Sequence, residues 1–312
     1  MSSYQEYNNI FEKEIIQKSK GIIFSFLPLN DKYTYKPYSH GISRDAVEKL
    51  GNLMRHNLFF YAFGEDEVVD YYKQGKLSSI EQAAKYAYKS RLPHRTANHD
   101  GLPGEVLLDL LVQLYNPTAY KFAVRTIFRQ DDNNEIKGYD LTYFSKDKSG
   151  ISLWLGQAKL GEKDYCKKGI NADLLKKYVN NYLAKQLYFV SNKRVLINDD
   201  AKSILEVIET LNIRTIDEDD DTRVKELLIL LNKLDIKIKI PCLLAYEEDS
   251  VYEDCSKLYD RIIKEAEGIR DFFNNRSYAF AGFPLEIVFY VFPIQSVKRL
   301  RDKENGFYAG LC

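Results

Sequence analysis

The chain has 312 residues with 45 basic and 45 acidic side chains, long enough for one large domain or two modest ones. Each phosphate neutralised by Lys or Arg adds to affinity for nucleic acid, so a net charge of zero argues against a polyanion coat and leaves room for a local basic groove. Four scattered cysteines, Cys166, Cys242, Cys255 and Cys312, form no CxxC pair and have no histidine at zinc-ligand spacing, which predicts reduced, structural thiols.

The start, Met1-Ser2-Ser3-Tyr4-Gln5-Glu6, lacks the basic stretch and apolar core of a signal peptide. The most apolar stretch, 283–294, carries Glu286 and two prolines and falls short of the roughly 20 residues a bilayer requires. The expectation is a cytoplasmic protein in which this stretch is a buried strand.

Read in chain order, 4–19 places apolar residues at Tyr7, Ile10, Phe11, Ile15 and Ile16, the spacing of a helix with one buried face, and 21–27 reads as a strand. Ser43 is a candidate cap for a helix through Val47, Leu50, Met54, Leu58 and Tyr61. Ser78 with Glu81 forms a capping-box pattern before a helix running to about residue 90. Pro103 suits the first turn of a strongly apolar helix that ends near Asn116-Pro117. Three strand-like runs follow at 121–129, 136–144 and 151–160, separated by loops at 130–134 and 145–150, and a long helix is expected over 171–189. The last third reads as helices at 201–211 and 222–234, a strand at 236–246, a helix at 251–273, a strand at 285–293 and a closing turn at 295–301. Its β-branched strands predict burial on both faces within the central sheet. No repeat or low-complexity linker interrupts the chain. This predicts one α/β domain of mixed α+β character over 1–312, with a helical region at 1–99, a core at 100–195 and a completing region at 196–312.

Chemistry concentrates in the middle. Asp140 closes Gly138-Tyr139-Asp140, and the next strand reads Leu155-Gly156-Gln157-Ala158-Lys159. Strand side chains alternate, so Gln157 and Lys159 share the face of Ile151, Leu153 and Leu155, while Ala158 points the other way. An unpaired ammonium beside leucines is costly, and Asp140 on the neighbouring strand is the expected partner. Phosphodiester hydrolysis needs a hard cation, oxygen ligands to hold it and a cationic group beside the attacking water. Asp140 and the Gln157 carbonyl can ligate Mg²⁺ or Mn²⁺, and Lys159 can orient or deprotonate the water. Glu105, at a helix start where a carboxylate is favoured, can add a ligand or hold a metal-bound water.

This order, helix glutamate, strand-end aspartate and (D/E/Q)xK on the next strand, resembles the PD-(D/E)xK nuclease superfamily with its restriction-endonuclease-like α-β-β-β-α-β core. More narrowly, Gly104-Glu105, Gly138-Tyr139-Asp140, Leu155 to Lys159, Ile240-Pro241 and Phe292-Pro293 resemble the HamA family, nuclease subunits of the bacterial Hachiman anti-phage system. The resemblance spans most of the chain. It implies a DNA nuclease acting in defence and restrained by a HamB-like, ATP-dependent helicase partner. Where many members have Glu, this chain has Gln157, which lowers the negative charge at the metal site. Two other readings stay open: a catalytically weak, DNA-binding or regulatory nuclease fold, and a nuclease acting on RNA.

Other polar segments read more plainly. Arg95, within 91–99, and Lys167, Lys168, Lys176 and Lys177, with Lys185, Lys193 and Arg194, are candidate contacts to a nucleic-acid backbone, although solvated helix faces look alike. His94 and His99 make no recognisable metal pair, and the acidic run at 217–221 lacks the glycine and distal glutamate of an EF-hand.

Overall fold

The computed structural model describes residues 3–75, 78–92, 100–124, 138–148, 150–178, 182–183, 186–187, 200–214, 220–278 and 285–311. Its strands are β1 (Ile23–Ser25), β2 (Leu29–Asn30), β3 (Thr34–His40), β4 (Ala119–Lys121), β5 (Leu141–Asp147), β6 (Gly150–Gly161), β7 (Ile236–Glu247) and β8 (Glu286–Ile294). They form one sheet in the order β1-β3-β8-β7-β6-β5-β4, with β2 also paired to β3. The middle strands β3, β8, β7 and β6 run parallel, and β1 and the β4–β5 pair add antiparallel edges.

Parallel strands need cover on both faces, and alternation in β6, β7 and β8 supplies two apolar surfaces. Trp154, Ala158, Leu160, Leu243, Ala245, Val288, Tyr290 and Phe292 join one core. That core takes in α1 (Ser3–Phe11), α3 (Ala46–Ala62), α4 (Glu65–Lys73), α5 (Ile80–Arg91) and α6 (Leu102–Tyr115). Leu153, Leu155, Ile238, Ile240, Leu244, Ile287, Phe289 and Val291 face a second core with α7 (Lys163–Lys177), α8 (Asp200–Arg214), α9 (Asp220–Lys233) and α10 (Leu258–Asn274). Each fully buried leucine or isoleucine in these layers contributes about 1.5–3 kcal/mol relative to exposure.

The first helix continues past α1 through a π turn (Glu12–Ile16) into α2 (Gln17–Ser19). After β8, the short α11 (Val297–Leu300) and the turns to Leu311 pack back on the first core through Leu300, Phe307 and Leu311. Gly51 of α3 makes room for this tail, since a Cβ there would lie 2.8 Å from the Phe307 nitrogen. Among the described residues no helix is long and apolar enough to cross a membrane.

The core order helix, three antiparallel-linked strands, helix, strand is the one the sequence predicts, and the late strands are indeed buried inside the sheet. Five details differ. Strand β3 was not expected, and it contains Pro37, which has no N–H for a ladder. Pro37 is tolerated because it falls between the segments paired with β2 and β1, and only its carbonyl is used there, accepting from Phe26 N–H at 3.0 Å. Helix α4 was also not expected; Gly64 starts it, with the Glu67 carboxylate accepting from the Gly64 N–H at 3.0 Å. The α5 cap is Ser79, whose hydroxyl accepts from Gln82 N–H, while Ser78 donates to the Gln82 side chain. The helix expected over 171–189 begins earlier, as α7 over Lys163–Lys177, and the described residues 182–183 and 186–187 are again helical. The strands expected at 121–129 and 136–144 are seen at Ala119–Lys121 and Leu141–Asp147, and 125–137 lies outside the described residues.

Candidate active site

Strand β6 is the axis of the site. Its even-numbered residues lie under α6: a Cβ on Gly104 would sit 3.2 Å from Leu160 Cβ, and one on Gly156 would sit 3.0 Å from Leu108 Cδ2. Its odd-numbered residues lie under α7, as the alternation predicts. Leu153 and Leu155 are sealed there by Ile170 and Leu174, and beyond them the strand presents Gln157 and Lys159. The ladder to β7 pairs Trp154 with Lys239 and resumes with Gln157 opposite Cys242, skipping Ile240 and Pro241, the second of which has no N–H to give.

Asp140 sits where β5 meets β6. Its N–H donates to the Gly156 carbonyl at 2.9 Å, and its carboxylate Oδ2 accepts the Ala158 N–H at 2.8 Å. Position 140 lies just before β5 begins, so the carboxylate takes up a β6 donor that the strand ladder does not. The direct ion-pair partner of Lys159 is Asp173 of α7, with Nζ to Oδ2 at 2.6 Å, rather than Asp140. Burial works to lower the Lys159 pKa, but the carboxylates of Asp173 and Asp140 outweigh it and hold the ammonium above its ordinary value. Lys159 is therefore a fixed cation at neutral pH.

Lys177 of α7 completes the cluster. Its Nζ lies 3.2 Å from Asp173 Oδ1 and donates to Gln157 Oε1 at 2.5 Å. Gln157 itself is 1% exposed, whereas the side chains of Lys159, Asp173 and Lys177 retain 21%, 16% and 19%. The cluster thus has a buried floor and a wetted rim. Gly169 lets α7 approach, because a Cβ there would fall 2.9 Å from Lys159 Cε and 3.1 Å from its Cδ. The end of α7 is pinned to the strands: Tyr139 donates to the Lys177 carbonyl at 2.8 Å, and Tyr178 donates to the Leu155 carbonyl at 2.9 Å.

Glu105 lies on α6, the helix covering the other face of β6, in the first helical turn and 5% exposed. Its Oε2 accepts the Tyr61 hydroxyl at 2.6 Å. The oxygens of Asp140, Gln157 and Glu105 suit Mg²⁺ or Mn²⁺ in kind. Each is already engaged, with Ala158, Lys177 and Tyr61 respectively. Among the described residues no three His, Cys, Asp or Glu side chains form a metal-binding group. Asp140 and the Gln157 carbonyl fit a hard cation in kind provided Lys177 yields that carbonyl, whereas Glu105 lies with Tyr61 on the α6 side of β6 and is not brought beside them.

Of the cations proposed for nucleic acid, Lys168 and Lys176 are exposed. Lys167 pairs with Asp164 at 2.6 Å and lies 5.3 Å from the Phe272 ring. Arg95, Lys185, Lys193, Arg194, His94 and His99 lie outside the described residues, as does 217–219 of the acidic run, whose last two residues open α9. Cys166 and Cys242 are buried free thiols and Cys255 is an exposed one, while Cys312 lies outside the described residues. Sequence reasoning missed Asp173 and Tyr61, and gave Lys177 a different role. The signal for the first was available as Gly169, Asp173 and Lys177, spaced by four along one helix face.

A mixed sheet with α6 before β4, β5 and β6 and α7 after them, carrying Asp140 at the entry to β5 and Gln157-Ala158-Lys159 on the adjacent β6, is a nuclease-like α+β fold. The family model for HamA matches residues 10–311, and the chain belongs to the HamA family, which places it in Hachiman anti-phage defence. No curated protein matches the chain.

Proposed function

We propose that this chain is a metal-dependent DNA nuclease, the cutting component of its defence system. The observation that carries the reading is Lys159, held as a cation between Asp173 and Asp140 at the junction of β5 and β6. Asp140 and the Gln157 carbonyl would hold Mg²⁺ or Mn²⁺. The ion would supply a Lewis acid for the phosphate oxygen and a more acidic water. Lys159 itself orients the attacking water and offsets the charge that grows on the phosphate oxygens; its raised pKa makes it a charge stabiliser rather than a base. Lys168 and Lys176, exposed on the same helix, would meet the phosphate backbone.

A net charge of zero supplies little general attraction to DNA, so much of the phosphate contact is assigned to another subunit. Membership of the HamA family supports a HamB-like helicase for that role, restraining the nuclease until it engages DNA ends or single strands. A second reading, a catalytically weak DNA-binding subunit, is favoured by the Lys177 ammonium on Gln157. Incubating the purified chain, alone and with a HamB-like helicase, with plasmid, linear and single-stranded DNA and with RNA decides between them. Cleavage of DNA with Mg²⁺ or Mn²⁺ and none with EDTA is expected. Metal-independent cutting, cutting of RNA alone, or no cutting with either protein set would each reject the proposal.

A further inference from the structure

Gly169, Asp173 and Lys177 follow one another at intervals of one helical turn, and all three face β6. Two lysines, Lys159 and Lys177, share the single Asp173 carboxylate. The Gln157 amide is oriented to serve the second of them: its Nε2 donates to the Gly156 carbonyl at 2.9 Å, which turns Oε1 toward the ammonium at 2.5 Å. Gln157 is 1% exposed, so water competes poorly for that bond. Simple solvation of a helix face does not account for it, since neighbouring Lys176 points to solvent.

We propose that Lys177 is the site's internal cation. Its ammonium takes the Gln157 carbonyl that a divalent ion needs, so metal loading requires Lys177 to move away, and Asp173 is the positioning residue that holds both lysines. An ammonium and a divalent ion on one carbonyl oxygen would stand within about 4 Å of each other in a poorly hydrated place, where like charges repel strongly. The two occupants therefore exclude each other. A neutral glutamine makes this competition closer than a glutamate would, because an amide oxygen attracts the divalent ion less. The chain's metal affinity is then set by a residue on the helix rather than by the ligands alone. This inference rests on the nuclease reading above.

The test is titration of Mn²⁺ into the full chain, reading free Mn²⁺ by electron paramagnetic resonance, with melting in EDTA as the check on folding. Lys177→Met is expected to bind Mn²⁺ about tenfold more tightly than the wild type, the loss of one charge-assisted contact that opposes the ion. Lys177→Arg should restore wild-type affinity, and Lys177→Gln serves if the methionine variant does not fold. Equal or weaker Mn²⁺ binding by a folded neutral variant overturns the proposal. Asp140→Ala separates the two ideas. If it abolishes Mn²⁺ binding while Lys177→Met leaves affinity unchanged, the metal site stands and the role of Lys177 fails. If Asp140→Ala leaves Mn²⁺ binding unchanged, both fail.

Discussion

The two faces of the sheet each bury a polar cluster, and the clusters are built on opposite terms. Under α6, Asp109 is 3% exposed and accepts from Tyr143 at 2.6 Å, Gln113 at 2.7 Å and Asn57 at 2.9 Å, all neutral donors held by packed elements. Under α7, Asp173 is met by two lysines on flexible stems, and its cluster reaches solvent at its rim. The first arrangement has nowhere to admit a substrate and no cation to lend a phosphate. The second has accessible cations, a carbonyl whose partner can leave, and Asp140 beside it. Buried polarity alone therefore does not mark a site in this protein; solvent access and exchangeable charge do.

The sharpest way to break that comparison is to remove its reactive members. Asp140→Ala and Lys159→Ala are each expected to cut DNA cleavage at least about a hundredfold, because they remove a ligand and the water-orienting cation rather than core volume. Near wild-type cleavage rates by both folded variants would falsify the site assignment. On the opposite face, Asp109→Ala should leave the specific activity of folded protein intact but cost about 3 kcal/mol of stability, since two buried donors, Asn57 and Tyr143, and the half-buried Gln113 lose their acceptor. Urea denaturation measures the cost, and a loss below about 1 kcal/mol would show that the network is not structural.

Gly169→Ala separates the two faces more finely. Alanine is the better helix former by about 0.5–1 kcal/mol, yet its Cβ would meet the Lys159 stem. Cleavage is expected to fall about tenfold with the melting temperature unchanged or raised, the effect of displacing a positioned group. Unchanged kinetics would mean that the stem can shift without consequence. The smallest effect concerns helix ends away from either cluster. Ser79→Ala should cost about 1 kcal/mol and Ser78→Ala clearly less, because only the Ser79 hydroxyl accepts from the helix backbone. Equal losses in thermal unfolding would return the cap to the earlier serine.

Much of the fold was legible from periodicity. The apolar helix over 102–115, the two central strands β7 and β8 and the alternation of β6 are local patterns, and local patterns survive folding when the tertiary structure asks for the same faces. Strand β3 and the first two turns of α7 were not legible, for one shared reason. Pro37 and Gly169 each carry a local penalty, and each is repaid by a neighbour distant in sequence: β1 and β2 leave the proline's missing donor unneeded, and Lys159 fills the space the glycine leaves empty.

The site divides in the same way. By itself the sequence determined that Gln157 and Lys159 share a strand face and that Asp140 lies beside them across the hairpin, because a period of two and a hairpin connection settle both; it placed Asp140 inside a strand that in fact starts at Leu141. Only the tertiary structure decided which carboxylate meets Lys159. It brings α7 over that face, seats Asp173 at 2.6 Å from the ammonium, and turns Lys177 from a candidate surface contact into a partner of Gln157. Ion-pair choice depends on distances between elements that are remote along the chain, and a charge leaving water takes the carboxylate that packing delivers.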